Sequence, residues 1–287
     1  MIGIALALLS ATVSGVAVVS VGRHSKEANA LNVSMLISLT GLVVILPLAA
    51  VLTDFSTANL GGILLFGAGG ILSPGLVRLF YYSGLRKLGP SVNSSVFSVY
   101  PIYSSLLAVF FLNELLTLEN WIGVAAIASG VVLVEMNCRN STCENSVLKD
   151  WVLPILGGLT FGVSAILRKA ALNIFNAPVL GVAVAYCFAF IPYFVILVYR
   201  KTARGNISLR KDLRLFWLAG VGQAISWILS FYALSLDPVA TVIPLLSIEP
   251  LFVAVFAFLY LRGQEPLSPK LVASIIVTVL GVVLILI

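Results

Sequence analysis

The sequence predicts an all-α integral membrane protein of ten transmembrane helices, arranged as two inverted five-helix repeats. Three observations support this fold class. Of the 287 residues, 60% are hydrophobic and only 10% are charged, whereas about 25% of the residues of an ordinary soluble domain are charged. The apolar residues form long unbroken blocks. Landmarks of the first half of the chain recur in the same order in the second half.

Ten apolar blocks are long enough to cross a membrane, since a spanning helix needs about 20 residues. Unbroken blocks are typical of helices, whereas the strands of a membrane barrel alternate in hydrophobicity. We number the blocks spans 1 to 10 in chain order, at 2–22, 33–53, 61–85, 91–112, 120–137, 151–170, 177–199, 214–235, 239–261 and 270–287.

An internal duplication is predicted from four ordered landmarks. The matching positions are Pro47 and Pro192, Pro101 and Pro250, Asn113-Glu114 and Gln264-Glu265, and the stretches 130–134 and 281–285. We therefore expect a first repeat at 1–137, a connecting loop at 138–150 and a second repeat at 151–287. Five spans per repeat would place the second copy upside down in the membrane, a recurrent design among transporters.

These landmarks carry a resemblance to a known family. The stretch from Tyr82 through Pro101 to Glu114, and its counterpart from Phe231 through Glu249-Pro250 to Glu265, resemble the ten-helix, EamA-type branch of the drug/metabolite transporter superfamily. The resemblance implies a secondary active or facilitative carrier of small organic metabolites, often an exporter, with amino acids common among the substrates. The first copy departs from the second, with Tyr100 in the place of Glu249.

Glu249 is the sharpest candidate for a functional residue. It stands about ten residues from either end of span 9, so its carboxyl group is expected near the membrane midplane. A charge at that depth costs roughly 2.5–3.5 kcal/mol by insertion scales and persists only where it faces protein or water. Two interpretations remain open. The carboxyl group either couples protons or binds a substrate amine, or it is a neutral group that hydrogen-bonds a neighbouring helix.

Arg78 is the one basic residue well inside a predicted span. Because it lies about two turns from the loop after span 3, the sequence favours a side chain that snorkels to the interface. The alternatives are an inward side chain that pairs with Glu249 or one that binds a substrate carboxylate.

Further candidates are expected around a central site bordered by spans 3, 4, 8 and 9. Mid-span aromatic and polar side chains can line a ligand cavity, and we add as substrate-binding candidates Tyr82, Ser98, Tyr100, Gln223, Trp227 and Tyr232. Prolines interrupt helical hydrogen bonding, and the matched ones are candidate hinges, with simple packing as the alternative: Pro47, Pro101, Pro192 and Pro250.

The sequence lacks the residue patterns that metal, ATP or nucleic-acid binding requires, so we expect neither a cofactor nor a metal. The chain has one histidine, His24, and the CX4C pair Cys138 and Cys143 has no second pair, which argues against a zinc site. The sequence has no Gly-Lys-Ser/Thr motif, which would predict ATP binding. It also has no basic face with interspersed aromatic side chains, which would predict nucleic-acid binding. The expected partners are a small metabolite such as an amino acid, the lipid bilayer and, as a candidate coupling ion, the proton.

Loop charges predict the orientation in a cell membrane. The loops after the odd-numbered spans hold fourteen Lys and Arg residues, and those after the even-numbered spans hold two, Arg168 and Lys169. The positive-inside rule then places the odd loops in the cytoplasm. Two other functions stay open at this point: a polytopic membrane enzyme acting on lipid or isoprenoid substrates, and a membrane subunit that does not itself transport.

Overall fold

The computed structural model describes residues 2–24, 29–112, 148–199, 209–260 and 269–286, together with short pieces between 117 and 133. These residues form helices and short connections, without a β-strand, so the predicted all-α class is confirmed. Several sequence landmarks lie outside the described residues: most of span 5, Lys26, Asn113, Glu114, Cys138, Cys143, Gln264 and Glu265. Within the described residues, seven helices are long and apolar enough to cross a membrane, so the count of ten spans stays a prediction.

The first repeat begins with two uninterrupted helices, Ile2–His24 (span 1) and Ala30–Leu52 (span 2). The Asn29 side chain caps span 2 by accepting from the Asn32 backbone N–H at 2.9 Å, which satisfies a donor left free at the helix start. Between spans 2 and 3, the backbone and hydroxyl groups of Ser56 donate to Asp54 and lower the pKa of that exposed carboxyl.

Span 3 is irregular, and this shapes the interior. It consists of helix Leu60–Gly70, a π-helical segment Ile71–Leu76 and helix Val77–Leu88. Ser73 has extended dihedral angles inside this segment, and the Ser73–Pro74 peptide bond is cis. A proline cannot donate to a helical hydrogen bond, and π-segments recur at functional sites of helices.

Spans 4 and 9 are each broken near their middle, although the apolar blocks read as single helices. Span 4 consists of Pro90–Phe97 and Tyr100–Leu112, and span 9 consists of Val239–Leu246 and Glu249–Tyr260. Pro101 and Pro250 are the second residues of the second half-helices, where their missing N–H prevents the helix from running straight through. The remaining described helices of the second repeat are Leu148–Ile174 (span 6), Pro178–Phe188 and Phe190–Tyr199 (span 7), Leu209–Leu236 (span 8) and Pro269–Leu286 (span 10).

Packing between the described spans follows the symmetry expected of two repeats. Span 1 packs against spans 8 and 9 of the other repeat, and span 6 packs in the same way against spans 3 and 4. The contacts agree at the residue level. A Cβ added to Gly15 would meet Phe252 and Val253, and one added to Gly162 would meet Tyr103 and Ser104, each 149 positions earlier.

Spans 2 and 7 cross where equivalent residues meet. Gly41 of span 2 lies directly against the ring of Tyr186 of span 7, and these two positions differ by 145, the same offset that relates Pro47 to Pro192. A residue can touch its own symmetry equivalent only near the axis. The pseudo-two-fold axis therefore passes close to this crossing, and each repeat completes the interior of the other.

Candidate functional site

A central cavity lies between the two repeats, in two adjoining compartments, each named here after the arginine that lines it. The centre of a water-sized sphere can occupy about 80 Å³ in the Arg78 compartment and about 50 Å³ in the Arg168 compartment. Five side chains line both compartments and form the boundary between them: Ser14, Phe97, Phe161, Trp227 and Glu249. Spans 1 and 6 contribute to the walls as well as the predicted spans 3, 4, 8 and 9.

Glu249 is placed in this cavity by the break in span 9. It is the first residue of the second half-helix, and a carboxylate is stabilised there by the free backbone N–H groups and the helix dipole. The Tyr81 hydroxyl donates to its Oε1 at 3.2 Å. Ser14 of span 1 lines the cavity with Glu249, and its hydroxyl accepts from Gln223 Nε2 at 3.1 Å. The carboxyl group is therefore bonded to a tyrosine of span 3 and shares the cavity with polar side chains of spans 1 and 8.

Arg78 points into the cavity, so the expectation that it snorkels to the interface is wrong. Only 5% of the residue is exposed. Its Nη1 donates to the Ser38 hydroxyl at 2.6 Å and its Nη2 to the Tyr186 hydroxyl at 2.5 Å. The guanidinium group also lies 4.4 Å from the centre of the Tyr186 ring. Hydroxyl acceptors and an aromatic ring on spans 2 and 7 satisfy the group in place of water, and it forms no ion pair with Glu249.

Arg168 is a cavity residue that the sequence interpretation assigned to a loop. Span 6 continues to Ile174, six residues beyond Arg168, and this arginine is completely buried. Three aromatic rings surround its guanidinium carbon, with centres at 4.6 Å for Phe161, 5.0 Å for Trp227 and 5.6 Å for Phe231. Of the two basic residues assigned to the even loops, one therefore lies inside the protein. The other, Lys169, donates to the carbonyl groups of residues 234 and 237 at the end of span 8.

Aromatic rings form much of the cavity wall. The Tyr100 and Phe161 rings are 4.6 Å apart, and the Phe97 and Tyr81 rings are 4.9 Å apart. Trp227 continues this series toward Tyr186 at 5.9 Å. Rings at such distances pack edge-to-face or tilted and present apolar surface beside their polar atoms. The cavity thus combines one carboxyl group and two guanidinium groups with aromatic walls.

Most of the residues predicted for a site come together here. Tyr82, Arg78, Gln223, Trp227 and Glu249 line the Arg78 compartment, and Tyr100 lines the Arg168 compartment. Two predicted residues do not line either compartment. Ser98 is buried at the break of span 4, and Tyr232 is partly buried in the surrounding core.

The four candidate hinge prolines lie in three kinds of position. Pro101 and Pro250 adjoin the symmetric breaks of spans 4 and 9. Pro192 packs against Gly75 at the irregular part of span 3. Pro47 lies inside an uninterrupted helix and is exposed on the outer surface. Three of the four thus border irregular backbone next to the cavity.

Sequence reasoning missed Ser10, Ser14 and Phe161 as cavity residues, as well as Arg168. Repeat symmetry could have found two of them, because Ser14 and Phe161 are equivalent positions of spans 1 and 6 and face the equivalent residues Glu249 and Tyr100. Among the described residues, no group of three His, Cys, Asp or Glu side chains could hold a metal ion. The site therefore offers binding through charge, hydroxyl groups and aromatic surface.

Comparisons with known proteins agree with this architecture. A family model described as EamA-like transporter family matches residues 1–136 and 151–287. The chain matches 28 chains of known structure. One, described as a crystal structure of a protein, is 14% identical and gives a TM-score of 0.66 over 98% of this chain and 94% of its own. At that identity the match shows the fold alone. Among curated proteins, no sequence matches this chain.

Proposed function

Because the chain belongs to the EamA-like transporter family, we propose that it is a secondary active or facilitative carrier of small organic metabolites such as amino acids. Members of this family are generally membrane transporters of small molecules. The observation that carries the proposal is a charged, aromatic-walled cavity between two symmetric repeats. Ionisable groups inside a membrane protein are costly and usually mark the path of a substrate or ion.

Alternating access is the proposed mechanism. The second half-helices of spans 4 and 9 start beside the cavity, at Tyr100 and Glu249. Each follows a break whose hydrogen bonding is also repeated: Val99 N–H donates to Val96 and Ile248 N–H donates to Leu245, at 3.4 and 3.3 Å. In this mechanism the half-helices tilt about these breaks, with Pro101 and Pro250 as hinges, and expose the cavity to one side and then the other.

Glu249 is the proposed coupling residue. It lines both compartments, and among the described residues it is bonded to the Tyr81 hydroxyl and forms no ion pair. A carboxyl group so placed can take up a proton or receive a substrate ammonium, and either event changes the charge in the cavity. Binding of a proton or of an ammonium group would therefore shift the equilibrium between the two proposed states of the carrier, in which the cavity is open to one side or to the other.

We also propose a cell-membrane location, the odd-numbered loops in the cytoplasm, and transport in the outward direction. The burial of Arg168 leaves Lys169 as the only predicted even-loop cation, which supports this orientation by the positive-inside rule. An enzyme acting on lipids would need clustered acidic or histidine side chains at one membrane face. No such cluster of three or more occurs among the described residues, and no observation favours a subunit without transport activity.

Counterflow in proteoliposomes tests the proposal. Purified protein is reconstituted, loaded with unlabelled amino acids or amines, and assayed for uptake of the labelled compound. We expect saturable uptake of at least one compound, and a strong loss of uptake or of its response to a pH gradient in Glu249→Gln. Glu119→Gln is the matched control, since Glu119 is exposed. Folded protein that moves no compound of a broad panel would contradict the proposal and favour the enzyme or subunit functions.

A further inference from the structure

Arg168 has hydrogen-bonding capacity that the protein itself does not use. Its Nε donates to the Ser164 carbonyl of its own helix at 3.3 Å. For Nη2, no hydrogen-bond partner is found among the residues that the structure describes, although the side chain is completely buried. Burying a guanidinium group without compensating hydrogen bonds is expensive. A residue with this cost is expected to serve a purpose other than packing.

The compartment that Arg168 lines contains a second buried polar group without a hydrogen-bond partner among the described residues. The Ser230 hydroxyl also lines the Arg168 compartment and also has no partner among the described residues. Ser226, one turn before Ser230, is engaged instead with Ser10 at 2.8 and 3.0 Å. A buried guanidinium N–H and a buried hydroxyl, both with unused donors, therefore face the same compartment.

The fold itself does not require an arginine at this position. The offset of 147 between Gly15 and Gly162 makes Val21 the equivalent of Arg168 in the first repeat. Val21 is 1% exposed, so the same helix position is buried in both repeats and accepts an apolar side chain in one. The charge is thus specific to the second repeat and to the compartment that it lines.

We propose that Arg168, assisted by Ser230, binds a carboxylate group of the transported substrate. A guanidinium group pairs with the two oxygens of a carboxylate through parallel hydrogen bonds. Arg78 is already bonded to Ser38 and Tyr186 and lines the other compartment. Among the described residues that line the Arg168 compartment, Arg168 is the one cation, and its Nη2 has no partner. This suits a monoanionic carboxylate better than a phosphate dianion, which Glu249 in the same wall would repel.

The substrate class follows from the rest of the compartment. Phe97, Tyr100, Phe161 and Trp227 provide aromatic surface, and Glu249 provides a carboxyl group that can receive an ammonium. The compartment therefore fits an organic acid or amino acid whose carboxylate lies at Arg168 and whose remaining part is apolar or aromatic. This inference rests on the proposed carrier function, because it names the group of the substrate that the central site recognises.

Ligand binding to detergent-purified protein tests the inference without a transport assay. The probes are phenylalanine and 3-phenylpropionate, which carry a carboxylate, and phenylalaninamide and 2-phenylethylamine, which do not. Thermal-shift titration of the wild type is expected to give saturable binding of a carboxylate probe. Arg168→Gln should weaken that binding by about tenfold or more, the loss typical of a charge-assisted hydrogen bond. Binding of the two amine probes should change less than threefold.

Two further variants separate binding from folding. Arg168→Met removes the charge at similar length; we expect its Tm without ligand to equal or exceed that of the wild type, while carboxylate binding is lost. Lys169→Gln is the matched control, because Lys169 is the adjacent cation and bonds carbonyl groups outside the cavity. It should keep the wild-type affinity for the carboxylate probes.

The results that would overturn the role of Arg168 differ from those that would overturn the proposed carrier function. Unchanged carboxylate binding in Arg168→Gln and Arg168→Met would show that Arg168 does not contact the ligand. If no carboxylate probe binds the wild type, the inference also fails. Transport of an amine or a neutral compound would still leave the carrier function standing. A large drop in the Tm of Arg168→Met, with carboxylate affinity retained, would assign the arginine to structure alone.

Discussion

Two adjacent glycines of span 3 allow a sharp test of the packing between spans 3 and 7. A Cβ added to Gly70 would lie 2.4 Å from both Cα and O of Ala185 in span 7. These are backbone atoms and cannot rotate away. A Cβ added to Gly69 would lie no closer than 3.6 Å to its nearest neighbours, which is ordinary contact. We therefore expect Gly70→Ala to destabilise the protein and Gly69→Ala to be tolerated.

The difference between these two variants isolates the steric effect. Both replacements gain the same helix propensity, about 1 kcal/mol for alanine over glycine, so this contribution cancels when the variants are compared. Overpacking typically costs about 1–3 kcal/mol, and the immobile backbone of span 7 favours the upper part of that range. Gly70→Ala is thus expected to be less stable than Gly69→Ala by about 2–3 kcal/mol.

Thermal and denaturant unfolding of the two variants in the same detergent measures this difference. The expected result is a lower midpoint for Gly70→Ala, and a midpoint for Gly69→Ala equal to or above that of the wild type. Equal stability of the two variants would refute the close approach of spans 3 and 7 at this point.

Three further predictions concern a buried hydrogen bond, an ion pair and a helix break. Tyr186→Phe removes an acceptor of buried Arg78 and should cost about 1–3 kcal/mol of unfolding free energy, whereas Tyr232→Phe, outside the cavity, should change it little. Asp150→Asn breaks the ion pair with half-exposed Lys87. The free energy of unfolding should fall by less than about 1 kcal/mol, and by still less in high salt. A large decrease that does not depend on salt would contradict this prediction. Pro250→Ala should straighten the break in span 9 and slow the counterflow rate while unfolding stays unchanged or improves; an unaltered rate would argue against a hinge.

The sequence predicted the fold class and the family, because both depend on features that are linear in the chain. Apolar blocks mark helices by their length, and the ordered prolines mark the duplication. The equivalence of Tyr100 and Glu249 was also visible as a fixed offset of 149. The structure places both residues at the first position after a break. A hydropathy pattern does not indicate this position, since the single serine at each break, Ser98 and Ser247, does not interrupt the apolar block.

It was harder to predict which side chains of each helix face the cavity. Arg78 and Arg168 each lie within a few turns of a span end, where a long side chain can reach the interface in one direction or the interior in another. Periodicity does not separate these cases when a helix is apolar on all sides. Arg168 was counted with the loop after span 6 because it lies only two residues before the predicted end of that span at 170, whereas the helix continues to Ile174. Tyr232 was expected in the cavity from its mid-span position but packs in the core.

Cysteine labelling tests alternating access around the central cavity most directly, because it does not require knowledge of the substrate. In a variant without the three native cysteines, Ser14→Cys places a thiol in the wall of both compartments. Ala108→Cys, completely buried outside the cavity, is the control. A membrane-impermeant thiol reagent should label Cys at position 14 when applied from either side of the membrane, and position 108 from neither. Labelling of position 14 from one side only, or from neither side, would contradict alternating access.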